Sequence, residues 1–295
     1  KKRDVIMAID KSLFGNTIDD NIKNYILYIL NNPDQFSEDD LKFIRYYIIE
    51  HEPDFRYNYP IVPYRLDTDK IMMIADTHIG HIKDNIEYIN WAYKIAQDNQ
   101  ISKVFIAGDV FEGILEYTIH DIKLDEIKKY YGSNYYIYLQ EMARRFPNIN
   151  GIETKILLGN HDISMIYDNI ISMRDLMNLY NGIPNSELLG IGKVYINWTA
   201  LTNPTNCRFI LNHDISSIKF TNHNYFKENI TISGHHHFYD FNENEIYLPA
   251  LSDNRILNPG LMIMELNNNS LVTQQIKKIP GLNITATDLQ KTLHL

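Results

Sequence analysis

The chain has 295 residues and a formal net charge of −9 at pH 7, with 44% hydrophobic and 22% charged residues. This composition is typical of a globular protein and excludes a disordered or collagen-like chain. No dense Lys/Arg stretch follows the opening Lys1, Lys2 and Arg3, so nucleic acid is not the default partner. No apolar stretch approaches the ~20 residues of a membrane span, and no membrane association is expected.

The cysteine content indicates the redox state of the compartment in which the protein is expected. Cys207 is the single cysteine, so it cannot form an internal disulfide, and its apolar surroundings favour a buried thiol. A reducing environment fits this reading. The N-terminus also lacks the apolar core of a signal peptide, and a cytoplasmic location is therefore expected.

Two helices are expected in the N-terminal region, over residues 17–52. Thr17 and Ser37 each stand three residues before an acid, at Asp20 and Asp40, which is a typical helix start. Apolar residues recur at helical spacing and would bury one stripe of each helix. The stripes are Ile22, Ile26 and Ile29 in the first helix and Leu41, Ile44 and Ile48 in the second.

A domain boundary is predicted near residue 66. Pro60 and Pro63 break the periodicity over residues 59–65, which favours a linker or an extended strap. Acids outnumber Lys/Arg by thirteen to nine over residues 1–69, so a DNA-binding helix-turn-helix is discounted. Residues 1–65 are read as a small helical appendage of unknown role, which offers a surface to a protein partner.

Residues 66–295 are predicted to form the main domain. Apolar runs first alternate with helical patterns over 83–99 and 120–146, which indicates α/β layers. After about residue 187 closely spaced strands follow, and they are expected to form a second sheet packed on the first, with helices outside. The early strands are Lys70–Ala75, Lys103–Ala107 and Thr154–Leu158; the late strands are Val194–Thr199, Cys207–Asn212, Asn229–Ser233, Glu245–Leu248, Leu261–Leu266 and Leu271–Gln275.

Five polar clusters stand at the ends of these predicted strands, where loops held by a rigid sheet often carry sites. Asp76 and His78 share one side of an extended backbone, as do His235 and His237, whereas His236 points away. Carboxylate, amide and imidazole groups are metal ligands. The clusters are Asp76-Thr77-His78, Gly108-Asp109, Gly159-Asn160-His161-Asp162, His213 and Gly234-His235-His236-His237.

In this order the clusters resemble the signature of the calcineurin-like metallophosphoesterase superfamily, and the resemblance covers roughly residues 69–265. It implies a four-layer α/β fold, a two-sheet β-sandwich flanked by helices. It further implies two divalent metal ions, Mn²⁺ first and Fe, Zn or Ni as alternatives, and a metal-bridging hydroxide that attacks phosphorus in line. The implied ligands are Asp76, His78 and His237 for one metal and Asn160, His213 and His235 for the other, with Asp109 bridging.

The resemblance also implies the catalytic residues. His161 would stabilise charge or protonate the leaving group, and Asp162 would orient its ring. His81 and Glu112 lie near the ligands in sequence and are candidates for substrate contact. Five tyrosines between residues 120 and 146 either pack or roof the site; packing is favoured.

Departures from the phosphoprotein phosphatase pattern favour a phosphodiester substrate, either a small molecule or a nucleic acid. Phe111, Glu112 and Gly113 stand where those phosphatases have Asp-Arg-Gly, and Asp162 stands where they have Glu. An SbcD-type DNA nuclease is the main alternative, although few residues remain for its DNA-capping region. A non-catalytic scaffold, such as a retromer subunit, is the second alternative, and the complete ligand set argues against it.

Overall fold

The structure is a computed structural model of the chain. Thr17, one of the two predicted helix caps, lies outside the residues it describes. These are residues 20–51, 59–113, 122–132, 134–167, 171–216, 220–221, 230–242, 244–252, 259–278 and 285–295.

A helical hairpin opens the described chain. Helix α1 spans Asp20–Asn31 and helix α2 spans Glu38–His51. The Ser37 hydroxyl donates to Asp40 Oδ2 at 2.6 Å, and the Asp40 N–H donates back to the Ser37 hydroxyl oxygen at 3.2 Å. This reciprocal capping satisfies backbone groups that the first helical turn leaves without partners, so the predicted cap at Ser37 is confirmed.

Within the described residues, one sheet has seven strands, in the order β15-β14-β13-β3-β4-β5-β6. Strands β3, β4, β5 and β6 run parallel to one another, and β6 forms one edge of the sheet. Strands β13, β14 and β15 continue the sheet on the other side of β3 with antiparallel pairing. The strands are β3 (Lys70–Ile74), β4 (Lys103–Ala107), β5 (Glu153–Leu158), β6 (Ser186–Ile191), β13 (Gly260–Asn267), β14 (Ser270–Lys278) and β15 (Thr285–His294).

A six-stranded sheet, again counted over the described part of the chain, has the order β11-β12-β10-β8-β7-β2. Its strands β8, β10 and β12 run parallel to one another. The strands are β2 (Tyr64–Asp67), β7 (Lys193–Thr199), β8 (Asn206–Asn212), β10 (Ile230–Ser233), β11 (Asp240–Asn242) and β12 (Glu245–Tyr247); β1 (Tyr59–Pro60) and β9 (Phe220–Thr221) form a separate parallel pair.

Helices connect the parallel strands of the larger sheet and cover its outer face. Helices α4 and α5 fall in the predicted stretch 120–146, whereas α6 and α7 were not predicted. Ser172 and Asp175 form a capping box at the start of α7. The helices are α3 (Ile86–Asp98), α4 (Leu124–Tyr131), α5 (Tyr135–Arg144), α6 (Asn160–Tyr167) and α7 (Met173–Asn181).

The core has two layers because successive side chains of a strand point to opposite faces. In β3, Ile71 and Met73 join the cluster between the two sheets, while Met72 and Ile74 join the cluster beneath the helices. The result is an α/β sandwich of two mixed sheets with helices, as the sequence predicts. Cys207 lies buried between the sheets, and burial raises the pKa of its thiol to about 12.

One assignment of strands to sheets was wrong. The predicted strands Leu261–Leu266 and Leu271–Gln275 were expected in the second sheet, but they form parts of β13 and β14 in the first. Met262 to Glu265 pair antiparallel with β3, where the parallel order leaves an edge. The sequence spacing of strands gives no signal for which sheet edge receives them, because that depends on tertiary contacts.

Helix α2 contacts β6 and β2, the edge strands of the two sheets, and also α7. Its residues Ile44 and Ile48 belong to the same buried cluster as Met72 and Ile74 of the main sheet. The predicted boundary near residue 66 falls inside β2, and the division of the chain there stays a prediction. Among the described residues, no helix is both long and apolar enough to cross a membrane.

Candidate metal centre

The polar clusters gather at the carboxyl ends of parallel strands from both sheets. Asp76 follows β3, Asp109 follows β4, and Asn160 follows β5 at the first residue of α6. His213 follows β8 and His235 follows β10 in the other sheet. Side chains from two sheets meet at one edge of the sandwich, the position where open α/β sheets bind ligands.

Five of these residues adopt left-handed backbone conformations. The φ angles are 54° at Asp76, 44° at His78, 52° at Asp109, 76° at His235 and 60° at His237. Positive φ is uncommon for residues other than glycine, and such strain concentrates at functional sites. It turns the chain sharply after each strand, so the extended geometry assumed in the sequence analysis does not hold at these positions.

Glycines let the loops approach closely. A Cβ on Gly108, whose φ is +85°, would lie 2.1 Å from Nδ1 of His213. A Cβ on Gly159 would lie 2.2 Å from Oδ1 of Asp109 and 2.8 Å from Nε2 of His213. Only glycine fits these positions, because any side chain would occupy the space of the candidate ligands.

One ligand group consists of Asp76, His78 and His237. Nε2 of His237 lies 3.1 Å from Nε2 of His78 and 3.4 Å from Oδ1 of Asp76. Nδ1 of His78 lies 2.6 Å from Oε2 of Glu112, so in the neutral ring the proton is on Nδ1 and Nε2 carries a lone pair. The His235 N–H donates to both oxygens of Asp76, at 3.1 and 3.0 Å, and fixes that carboxylate.

The second group consists of Asp109, Asn160, His213 and His235. Oδ1 of Asn160 lies 2.9 Å from Nε2 of His213 and 3.0 Å from Nδ1 of His235. Nε2 of His213 lies 3.0 Å from Oδ2 of Asp109. The same Oδ2 atom lies 3.9 Å from Nε2 of His78, so Asp109 faces both groups.

The chemistry of this donor set fits cations. Nδ1 of His213 lies 2.8 Å from the Ala107 carbonyl oxygen, so the neutral ring donates from Nδ1 and presents the Nε2 lone pair. That lone pair faces the oxygens of Asp109 and Asn160, which also accept. Three acceptors that converge on one point need a cation or protons between them. Ligand atoms of each group Asp76/His78/His237 and Asp109/His213/His235 lie within 4.8 Å of one another.

His161 lies beside the first group, with its ring centroid 4.7 Å from that of His78. Its Nδ1 is 3.1 Å from Oε1 of Glu112, whose other oxygen contacts His78. Burial would lower the pKa of His161, but Glu112 and Asp109 outweigh it and raise the pKa to about 9. One buried carboxylate thus orients the ring of His78, a candidate ligand, and lies at ion-pair distance from the candidate catalytic ring of His161.

The predicted partner of His161 requires a correction. Asp162 accepts hydrogen bonds from the N–H of Gly159 at 2.8 Å and of Phe111 at 3.0 Å, and from the hydroxyl of Tyr180. Its carboxylate therefore holds the loops together, whereas Glu112 is the carboxylate that faces Nδ1 of His161. Asp162 sits in the first turn of α6, which directs its side chain into the core and away from the ring beside it in sequence.

Glu112 and His81 were predicted to contact substrate. Glu112 is 1% exposed and contacts two histidines, so the structure places it behind the ligands. His81 is partly exposed, accepts from the Lys83 N–H at 2.9 Å, and lies 6.5 Å from His78 between ring centroids. Tyr180 was missed, since an isolated tyrosine in a helix carries no sequence signal for a partner in another loop.

The buried charges of the site stabilise one another. Burial opposes protonation of His213, but Asp109 and Asp76 raise its pKa to about 10. Burial likewise would raise the pKa of Glu112, yet His161 and His78 lower it to about 2. Negative carboxylates therefore attract positive charge to this pocket, and binding of metal ions would displace protons from the histidines.

Comparison with known protein families shows to which family the chain belongs. Residues 69–261 match the family described as calcineurin-like phosphoesterase, which spans most of the chain. The chain belongs to this family. The matched range contains all seven candidate ligands together with His161.

Solved structures similar to this calcineurin-like chain include an archaeal phosphodiesterase, 14% identical, covering 66% of this chain and 93% of that one with a TM-score of 0.35. A Pseudomonas putida nuclease, MPE, is 12% identical and covers 70% and 84%, with a TM-score of 0.34. Vacuolar Protein Sorting 29 from Cryptosporidium parvum is 13% identical and covers 77% and 98%, with a TM-score of 0.38. No curated protein gives a significant match.

Proposed function

We propose that the protein is a dinuclear-metal phosphodiesterase. The observation that carries this proposal is the sharing of Asp109: its Oδ2 lies 3.0 Å from Nε2 of His213 and 3.9 Å from Nε2 of His78. A carboxylate shared between two sets of candidate ligands suits a pair of divalent cations. The phosphoesterase family of the chain supplies the reaction class.

Seven residues would hold the two cations. Carboxylate and amide oxygens together with imidazoles suit Mn²⁺, Fe, Zn or Ni, and Mn²⁺ is the first choice. When bound, such a pair supplies a water of lowered pKa and positive charge for the phosphate oxygens. Asp76, His78 and His237 would hold one cation, Asn160, His213 and His235 the other, and Asp109 both.

His161 would donate the proton that the leaving group needs. Its Nδ1 faces Glu112 at 3.1 Å, and the side chain is 14% exposed, so Nε2 is the nitrogen that can reach a substrate. Because Glu112 favours the protonated ring, His161 is a proton donor at neutral pH. Glu112 acts through His161 and is a positioning residue.

A diester is favoured over a monoester on grounds of charge. Phosphomonoesters carry more negative charge than diesters near neutral pH. Enzymes commonly neutralise this additional charge with Arg or Lys. In the described part of the chain, the contacts of Asp76, Asp109 and His161 are to histidines, Glu112, Ser164 and backbone groups, with no arginine or lysine. Phe111 and Glu112 occupy the loop where phosphoprotein phosphatases have arginine.

The test compares bis-p-nitrophenyl phosphate with p-nitrophenyl phosphate in the presence of Mn²⁺. We expect higher kcat/KM on the diester, complete loss with a chelator, and restoration by added metal. His161→Ala should lower kcat by about 100-fold or more while the bound metal, measured by mass spectrometry, stays the same. His294→Ala, an exposed histidine in β15, serves as the matched control and should keep full activity.

Two results would contradict the proposal. Turnover that neither the chelator nor His161→Ala reduces would place the chemistry elsewhere. Binding of metal without turnover of either ester would instead support the non-catalytic scaffold. A panel of single-stranded DNA, duplex DNA, cyclic nucleotides and nucleotide diphosphate compounds then separates a nuclease from a small-molecule diesterase. A cytoplasmic location and a protein partner for the N-terminal helices stay predictions.

A further inference from the structure

Three aromatic side chains lie beside the metal centre and are not used by the proposed reaction. They are His236, Phe238 and Tyr247, here called the aromatic shelf. His236 and Phe238 flank the candidate ligand His237, and Tyr247 ends β12. Since β12 runs parallel to β10 with Tyr247 opposite Ser233, the shelf lies at the same sheet edge as the ligand loops.

The rings of the shelf contact one another and reach the site. Ring centroids of His236 and Tyr247 lie 4.7 Å apart at 87°, and those of Phe238 and Tyr247 lie 5.5 Å apart at 36°. His236 also lies 5.6 Å from His235, whose Nδ1 is 3.0 Å from Oδ1 of Asn160. Contacts between rings thus run without a break from the second ligand group to the shelf.

The shelf is accessible to solvent, because other residues form the buried face of the strand beside it. Ile246 and Leu248, the neighbours of Tyr247, are 1% and 0% exposed, so β12 already supplies its apolar face to the core. Phe238 is 39% exposed and His236 is exposed. Exposed aromatic groups that adjoin a polar site are typical of a binding surface for a flat apolar group.

We propose that the aromatic shelf stacks the base of a small nucleotide-type phosphodiester whose phosphate lies at the metal centre. The inference rests on the proposed function and names its substrate class. A nucleobase is flat, uncharged and attached one sugar away from its phosphate, which matches an aromatic surface one side chain away from the ligands. Base stacking on aromatic side chains is sequence-tolerant, so no particular base is specified.

Charge favours a small nucleotide over a nucleic-acid strand. Glu245 accepts a hydrogen bond from the Tyr247 hydroxyl at 2.8 Å, and Asp240 pairs with Tyr247 across the strands β11 and β12. Both acids border the shelf, and the whole chain carries a net charge of −9. These carboxylates would repel the further phosphates of a nucleic-acid strand that crossed the shelf, whereas they would not repel a single uncharged base.

The experiment compares two diesters with the same leaving group, thymidine 5′-(p-nitrophenyl phosphate) and methyl p-nitrophenyl phosphate. The measured quantity is the ratio of their kcat/KM values. Phe238→Leu removes the aromatic ring and keeps an apolar side chain, and we expect the ratio to fall by about tenfold. Tyr247→Leu should lower it similarly, and Phe238→Tyr should keep it. Phe43→Leu changes a phenylalanine that is 61% exposed on α2 and is the matched control.

An unchanged ratio in both Phe238→Leu and Tyr247→Leu overturns the proposal. Stronger competition by a ten-residue oligothymidylate than by thymidine monophosphate, lost in Phe238→Leu, overturns the small-nucleotide class in favour of a strand. If the wild-type chain hydrolyses neither ester, the proposed function fails separately. NMR line broadening of the thymine protons of thymidine monophosphate then tests the shelf without turnover: loss in Phe238→Leu supports stacking, and no broadening in the wild type refutes it.

Discussion

At the scale of single residues, two of the candidate ligand histidines are oriented by groups that lie on the side of the ring away from the other candidate ligands. Glu112 fixes Nδ1 of His78, and the Ala107 carbonyl oxygen fixes Nδ1 of His213, so each ring presents Nε2 to the centre. The carboxylate and carbonyl partners hold the orientation of these rings. The geometry of these candidate ligands is therefore set by the folded chain itself.

Gly108→Ala should abolish metal binding at the second ligand group by steric overlap with His213. The new Cβ would lie 2.1 Å from the His213 ring, and φ at this position is +85°. Gly151→Ala separates the two effects, since Gly151 has a φ of +83° with nothing within 4 Å of its added Cβ. Calorimetric titration with Mn²⁺ measures the metal affinity of each variant, and denaturant unfolding measures its stability.

We expect Gly151→Ala to cost about 1 kcal/mol of stability for the backbone conformation alone and to keep metal affinity. Gly108→Ala should be destabilised further and lose binding at the second ligand group. Equal behaviour of the two variants would show that backbone conformation, and not contact with His213, explains the glycine.

At the scale of elements, a buried charge cluster joins α2 to the main sheet. Arg45 of α2 is 1% exposed and lies 2.9 Å from Oε1 of Glu187 in β6, and Lys155 of β5 lies 2.7 Å from Oε2 of the same carboxylate. The Arg45 guanidinium also donates to the Pro63 carbonyl oxygen at 2.9 Å. Both oxygens of Glu187 are paired, so removal of one partner would leave a buried charge.

Glu187→Gln should lower the free energy of unfolding by up to about 3 kcal/mol at pH 7, because Arg45 and Lys155 lose the one carboxylate that is buried with them. They keep only the partly exposed carboxylates of Glu38 and Glu153. Burial would raise the pKa of Glu187, but Lys155 and Arg45 lower it below its ordinary value. Its stabilisation is therefore complete above the unfolded-state pKa and is lost as pH falls through the folded-state pKa.

Denaturant unfolding at several pH values measures the difference between wild type and Glu187→Gln. We expect a constant difference at neutral pH that closes below pH of about 4. Asp98→Asn, which removes an exposed ion pair with Lys94, is the control and should change stability by less than about 1 kcal/mol. A difference that persists unchanged in acid would contradict the role of the Glu187 charge.

At the scale of the whole molecule, the N-terminal helices share a core with the phosphoesterase region. Ile26, Ile44 and Ile48 lie in the same buried cluster as Met72 of β3. Helix α2 also covers β6 and β2, which are the open edges of the two sheets on one side of the sandwich. Uncovered sheet edges and apolar surface promote aggregation.

A chain that begins at residue 59 should therefore unfold at a lower temperature than the full chain, or aggregate. Loss of Arg45 removes a partner of Glu187, and loss of Ile44 and Ile48 uncovers apolar surface. Differential scanning calorimetry of both chains, with Arg45→Met in the full chain for comparison, measures the effect. A soluble shortened chain with an unchanged Tm would instead support the predicted independent appendage.

The sequence by itself determined the family, the two-sheet α/β sandwich and the candidate ligands from Asp76 to His237. Residue types at strand ends carry the chemistry of metal binding, and strand and helix periodicity depends on local spacing. The predicted strands β3, β4 and β5 agree with the structure within one residue at each end, because long apolar runs bury both faces of a parallel strand.

Only the tertiary structure decided which side chains meet. It joined Glu112 to His161 although Asp162 is adjacent in sequence, placed β13 and β14 beside β3, and brought Tyr247 to the loop of His236. These contacts link residues far apart in the chain, and left-handed turns at Asp76 and His237 redirect the backbone. A spacing pattern cannot encode them, since they result from the packing of two sheets against each other.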